Sequence, residues 1–219
     1  MEPQKSVVPI FAIDEANNIK HFLGTGTFVE RRPFLVTAEH VVRDWKGPFA
    51  IAVLPDIAHI FRASLIAKHT DIDIAVLEVP GYAPERGLQL AEDSEISNNE
   101  DIVCLEYGTT RSLGREIYLS PATRRGNVTR TLNLTDRLGK AGDGALELSF
   151  PALRGASGAP NLSNQSFKLW GIVVANVSYH LLSAQIESVL DEKAQIVEET
   201  RFMLPQAIAV HVKHVRAVL

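Results

Sequence analysis

The stretch FLVTAEHVV, residues 34–42, reads as a short apolar strand that runs into a turn ending at His40. A second stretch, DIDIAVLEV at residues 71–79, places two acids in front of another apolar strand. A third, RGASGAP at residues 154–160, sets two glycines around Ala-Ser and marks a sharp turn. Each alone has an ordinary reading. A lone His is more often a surface or hydrogen-bonded core residue than a reactive one. An Asp before a strand is usually a turn residue. A Gly-rich tract is usually just a turn. Their order along the chain, His then Asp then Ser, gives the three a joint meaning.

Outward from these stretches, the chain keeps one texture. Short apolar runs of about five to eight residues alternate with Gly, Pro, Asn and Asp. Strands are predicted at 7–13, 20–30, 34–37, 49–54, 61–69 and 74–79. After a polar stretch at 84–100 they resume at 101–107, 115–119, 124–133, 145–150, 167–177 and 201–204. The stretch 84–100, PERGLQLAEDSEISNNE, reads as a solvated link between two halves. Two segments carry helical spacing. Ile186, Val189, Leu190 and Val197 suggest a helix within 185–199. Pro205 followed by Ile208, Val212, Val215 and Val218 suggests another over 205–218. His211 and His214 would then sit near its C-terminal end, where protonation suits the dipole.

Composition narrows the class. Of 219 residues, 46% are hydrophobic and 22% charged, which is globular and excludes a disordered chain. The formal charge of -4 argues against a nucleic-acid binder. No run of about 18 apolar residues occurs, so no membrane partner is predicted. The N-terminal residues lack a signal-peptide core, and Cys104 is the only cysteine. A cytoplasmic, reducing location follows as an expectation. One cysteine also excludes a multi-cysteine zinc site. With no HExxH, neither metal nor cofactor is expected.

On the motifs T-A-x-H-V (Thr37 to Val41), D-I-A-x-L (Asp73 to Leu77) and G-x-S-G-x-P (Gly155 to Pro160), the chain resembles the trypsin-like, chymotrypsin-fold serine peptidases. GTGTFV at 24–29 and WGIVVANV at 170–177 fall where that family has a matching early strand and its substrate-binding strand. Lack of disulfides resembles the HtrA/Deg branch, without its PDZ domain. The resemblance implies an all-β fold: two packed six-stranded antiparallel β-barrels with a C-terminal helix. They would form one peptidase domain over 1–219, with barrels at about 6–83 and 101–204, the connection at 84–100 and the helix at 205–218. It implies a serine endopeptidase acting on protein or peptide substrates.

The chemistry explains the residue types. A Ser hydroxyl needs a base within hydrogen-bond reach to attack an amide. His40 would take the proton from Ser157 and return it to the leaving amine. A carboxylate behind the imidazole fixes its tautomer. Asp71 and Asp73 are both available, two apart and so on one face of a continuous strand. The family pattern favours Asp73. The N–H groups of Gly155 and Ser157 would form the oxyanion hole, about 3–4 kcal/mol per donor in the transition state.

Departures from the family carry information too. Ala156 stands where cleavage-activated relatives have an Asp, so that activation switch is absent. Pro151 stands where enzymes cutting after Arg or Lys have an Asp. Pro151, Ala152, Val174 and Asn176 would line a pocket for a small or medium apolar residue. Arg154 beside the oxyanion hole could meet a substrate acid, although a solvated Arg is the ordinary reading. Restraint would come from a partner or a loop rearrangement, with 179–200 as the contacting element. Relatives of this kind often sit beside sensor proteins, including bacterial defence systems. Three alternatives remain at this stage. One is an α/β-hydrolase using a later His. Another is a metal site at His211 and His214. The third is a catalytically silent pseudo-peptidase that serves as a binding module.

Overall fold

The first six apolar runs fold as β1 (Val7–Ile13), β2 (Ile19–Phe28), β3 (Phe34–Ala38), β4 (Phe49–Ala52), β5 (Ile60–His69) and β6 (Ile74–Glu78) in a computed structural model of the chain. A short helix, α1 (Glu39–Arg43), follows β3. The structure describes residues 2–30, 33–53, 59–82, 87–113, 116–135, 141–177, 184–190, 193–199 and 205–219. The six strands close into an antiparallel barrel in the order β1-β2-β3-β6-β5-β4. Val8, Ile10, Phe28, Leu35, Ile51 and Leu77 fill its interior. The other face of β1 turns Phe11 and Ile13 outward, where Ile117 and Leu119 of the second half pack beside them. Both faces are therefore covered, which is why β1 is apolar throughout instead of alternating.

The second half begins with β7 (Asp101–Glu106) and a small hairpin of β8 (Arg111–Leu113) and β9 (Glu116–Tyr118). Then come β10 (Ala122–Thr135), β11 (Ala141–Leu148), β12 (Pro160–Ser163) and β13 (Leu169–Val177). A second hairpin, β14 (Ala184–Leu190) and β15 (Lys193–Glu199), precedes β16 (Gln206–His211) and helix α2 (Val212–Val218). A second antiparallel barrel closes in the order β10-β11-β16-β13-β12-β7. Ile102, Cys104, Leu146, Leu148 and Trp170 fill it. A third cluster lies between the barrels. It joins Val7, Val36 and Ile74 to Leu105, Leu162, Ile172 and Val210, with Val212 and Val215 of α2. Each such side chain is worth roughly 1.5–3 kcal/mol when fully buried, so the barrels are docked firmly.

Several expectations are corrected. Residues 185–199 form no helix: β14 and β15 pair antiparallel, with Ile186 opposite Val197 and Val189 opposite Ala194. Four β-branched residues distributed over the two arms favour extended backbone over the helical spacing. The helix expected over 205–218 is a strand for its first half. β16 lies between β11 and β13, and Ala207 to His211 are all buried. Burial on both faces erases the period of two that would have marked it. Of the strand expected at 115–119, Glu116–Tyr118 pairs with β8 in a separate hairpin and not in the barrel. The link is also less solvated than expected. Leu88 and Ala91 are fully buried, and the Leu88 N–H donates to the Phe28 carbonyl. The strand predicted at 201–204 lies outside the described residues.

His211 is corrected as well. It is the N-cap of α2, not a residue near its C-terminal end, and its Nδ1 accepts the Lys213 N–H at 3.1 Å. Burial holds its pKa below the ordinary 6.5, against a smaller opposing pull from Asp93. The unfolded chain therefore binds this proton more readily. The stabilisation is complete above about pH 6.5 and is lost as pH falls through the lower folded value. Melting curves between pH 7.5 and 5 are expected to show a loss of stability from this cap. His211→Asn caps without titrating and should flatten that part of the slope. An unchanged slope in the variant would assign the loss to other groups.

Candidate active site

β3 delivers His40. Its ladder with β6 ends at Ala38 opposite Ile74, and the chain turns at once into α1, whose second residue is His40. Asp73 lies in the turn before β6, with φ of +55°. Asp tolerates this left-handed conformation better than most residues. The turn also separates the two candidate acids, because no continuous strand runs through both. Asp73 faces His40, whereas Asp71 is exposed and makes no bond to it among the described residues. The Asp73 carbonyl accepts the Glu39 N–H at 3.1 Å, and Oδ1 accepts the His40 N–H at 2.9 Å. Its Oδ2 lies 2.7 Å from His40 Nδ1. A carboxylate can only accept here, so Nδ1 holds the proton and Nε2 is left as an acceptor. His40 Nε2 lies 2.9 Å from Ser157 Oγ.

Two consecutive turns present Ser157. The Ala156 N–H donates to the Leu153 carbonyl, and the Ala159 N–H to the Ala156 carbonyl. The third residue of each turn is a glycine, Gly155 at φ +98° and Gly158 at φ +88°. That is the type II signature, and it requires glycine for the positive φ. Neither the Gly155 N–H nor the Ser157 N–H donates to any group among the described residues. Two unoccupied amides beside the hydroxyl leave room for an oxygen that carries developing charge.

Three buried threonines of the first barrel hold this loop, and sequence reading missed them. The Thr25 hydroxyl donates to the Gly155 carbonyl at 2.8 Å, and the Thr25 N–H to the Ser157 carbonyl at 2.9 Å. The Thr27 hydroxyl donates to the Gly158 carbonyl, and the Thr37 hydroxyl to the Thr25 carbonyl. The signal was present in GTGTFV. Thr25 and Thr27, two apart on a strand, share one face. A Cβ on Gly158 would lie 1.9 Å from the Thr25 carbonyl oxygen. Gly158→Ala is expected to lose at least 3 kcal/mol, since strain at positive φ adds to a backbone collision. Gly81→Ala, at φ +82° with open space around it, isolates the strain alone and should cost about 1–2 kcal/mol. Equal melting temperatures for the two variants would rule out the collision.

Other residues are placed as follows. Asn176 ties β13 to the loop before the turns: its Oδ1 accepts the Ala152 N–H at 2.8 Å, and its Nδ2 donates to the Ala152 carbonyl at 2.7 Å. Pro151, Ala152 and Val174 are half-buried, and Val174 packs against both the first-barrel core and the cluster between barrels. Glu39, also missed, is buried beneath the site with Arg43 Nε at 2.6 Å from its carboxylate. Arg43 lies 4.0 Å from Asp73 Oδ1, and its bond to Glu39 raises its pKa further. Cys104 offers no rival nucleophile, because full burial pushes its thiol well above the ordinary range. A groove of about 960 Å³ runs past His40 and Gly155, lined by Leu23, Val41 and Trp45 of the first half and by Arg111 and Arg154 of the second.

The family model described as a trypsin-like peptidase domain matches residues 24–172. No curated protein sequence matches the chain. In fold it is similar to the Rv3671c protease of M. tuberculosis in its active form. The identity is 18%, the match covers 99% of this chain and 80% of that one, and the TM-score is 0.66. The inactive form of the same protease gives 17% identity, 99% and 88% coverage and a TM-score of 0.65. The HtrA-type protease AlgW, solved with a decapeptide, gives 13% identity and a TM-score of 0.67. That match covers 97% of this chain and 62% of AlgW. At such identities the likeness is one of fold.

Proposed function

Because the chain belongs to the trypsin-like peptidase family, we propose that it is a serine endopeptidase with Ser157 as nucleophile, His40 as base and Asp73 as orienting acid. The observation that carries this reading is the unbroken series Asp73–His40–Ser157, at 2.7 and 2.9 Å, beside two unoccupied amides. Ser157 Oγ attacks the scissile carbonyl while Nε2 takes its proton. The charge developing on the carbonyl oxygen meets the Gly155 and Ser157 amides. Nε2 then gives the proton to the leaving amine, and an acyl-enzyme remains on Ser157. A water attacks it by the same steps in reverse order of partners. Pro151, Ala152, Val174 and the Asn176 clasp favour a small or medium apolar residue before the scissile bond. A buried lone cysteine makes the fold independent of disulfides, which suits a reducing, cytoplasmic setting.

Control is part of the same proposal. Ala156 removes activation by a new N-terminus, so restraint falls to a partner, with the hairpin β14–β15 as its contact. Rv3671c has been solved in active and inactive forms, so this fold admits both. Labelling with a fluorophosphonate probe tests the reading. Labelling of the isolated chain, absent in Ser157→Ala, supports an assembled hydrolase. Labelling only with a co-purifying partner, and lost when 179–200 are deleted, supports the latent form. A folded chain that never labels supports the pseudo-peptidase instead.

A further inference from the structure

We infer that Arg111 and Arg154 make this site select substrates with an acidic side chain just after the scissile bond, an inference that rests on the peptidase reading above. The leaving amine must receive its proton from His40 Nε2. The peptide downstream of the cut therefore passes along the His40 side of the cleft. The groove of about 960 Å³ there has an apolar floor of Leu23, Val41 and Trp45. It is lined as well by the β8 end and the loop before Gly155, which carry Arg111 and Arg154. Both arginines are exposed, and neither makes an ion pair or a side-chain hydrogen bond among the described residues.

Most of the other described arginines are committed, Arg125 outside this groove being the exception. Arg43, Arg62, Arg124, Arg130 and Arg216 each bond a side chain or backbone oxygen of the fold. On a chain with a formal charge of -4, two uncommitted guanidinium groups lining one groove form a local excess of positive charge. The one carboxylate lining the groove among the described residues, Asp44, directly follows α1 and interacts with Arg43. A guanidinium presents a planar fork that matches a carboxylate with two parallel bonds. Arg154 directly precedes Gly155, so a carboxylate that engages it sits beside the oxyanion donors. Arg111 lines the same groove. The first or second residue after the cut is thus the one that meets both.

The test uses internally quenched peptides that share one acyl half and carry Glu, Gln or Lys at the first and second positions after the cut. The ratio of kcat/KM for Glu over Gln is expected to be about 10-fold at low salt, and to shrink with ionic strength. Arg154→Ala and Arg111→Ala should each reduce the ratio, and the double variant should bring it to about one. Arg154→Lys should retain part of it, because charge survives while the fork is lost. A Glu/Gln ratio of one in the wild type, or a ratio unchanged in the double variant, overturns the inference. Binding of the same peptides to Ser157→Ala reads the preference without turnover. If the wild type neither cleaves nor takes the fluorophosphonate label, the peptidase reading fails. A Glu-over-Gln preference in binding that depends on the two arginines still sustains the groove assignment, and its absence overturns it.

Discussion

Ser157→Ala is expected to lower kcat for peptide hydrolysis by about a millionfold while the protein melts within about 0.5 kcal/mol of the wild type. The side chain has one bonding partner among the described residues, His40 Nε2 at 2.9 Å. What anchors the loop is backbone, with the Ser157 carbonyl accepting the Thr25 N–H and the two flanking turns closed by their own amides. Removing one oxygen therefore deletes the proposed nucleophile and leaves the scaffold intact. Steady-state kinetics and a thermal melt on the same sample check both halves. The double variant with His40→Ala should be no slower than the single one, because the pair acts as a unit. Residual activity above about one part in a hundred would mean that another group attacks the amide.

Asp73→Asn is expected to cost about 10⁴-fold in kcat. Asparagine is also at home at positive φ, so the turn should keep its shape. Its amide oxygen can still accept the His40 N–H, as Oδ1 does now at 2.9 Å. That orientation turns an NH2 toward His40 Nδ1, which must then give up its proton and become the acceptor. The proton moves to Nε2, and the base can no longer accept from Ser157. The lesion is thus one of tautomer and not of folding. Asp71→Asn is the control, and its rate should match the wild type. Equal losses in the two variants would mean that the acid is not Asp73.

The first barrel was legible because its strands are short, apolar and separated by polar turns, from Val7–Ile13 through Ile74–Glu78. The second was less so. β12 is the four residues PNLS, which pattern reading takes for a turn, yet all four are buried. β16 shares its apolar spacing with the helix that follows it. In the site, the residue types at 40, 73 and 157 were legible from motif order and family resemblance together. The choice between Asp71 and Asp73 came from the family pattern alone, because periodicity puts both acids on one face. Thr25, Thr27, Thr37 and Glu39 were missed for another reason. The threonines bond backbone carbonyls of other elements, which their shared strand face alone does not name, while Glu39 pairs with Arg43 one turn on in α1, a spacing the sequence does carry.

The position of β16 between β11 and β13 has a consequence in time. The second barrel cannot close its ring of strands until residue 211 has been made, because β16 is the stave between two earlier ones. His40 and Asp73 belong to a barrel whose last strand ends at residue 78, so it can be complete long before. Emerging from the ribosome, the chain would carry a finished base and acid beside a hydroxyl not yet in place. On the peptidase reading, a growing polypeptide of this design acquires its reactivity only once β16 is in place.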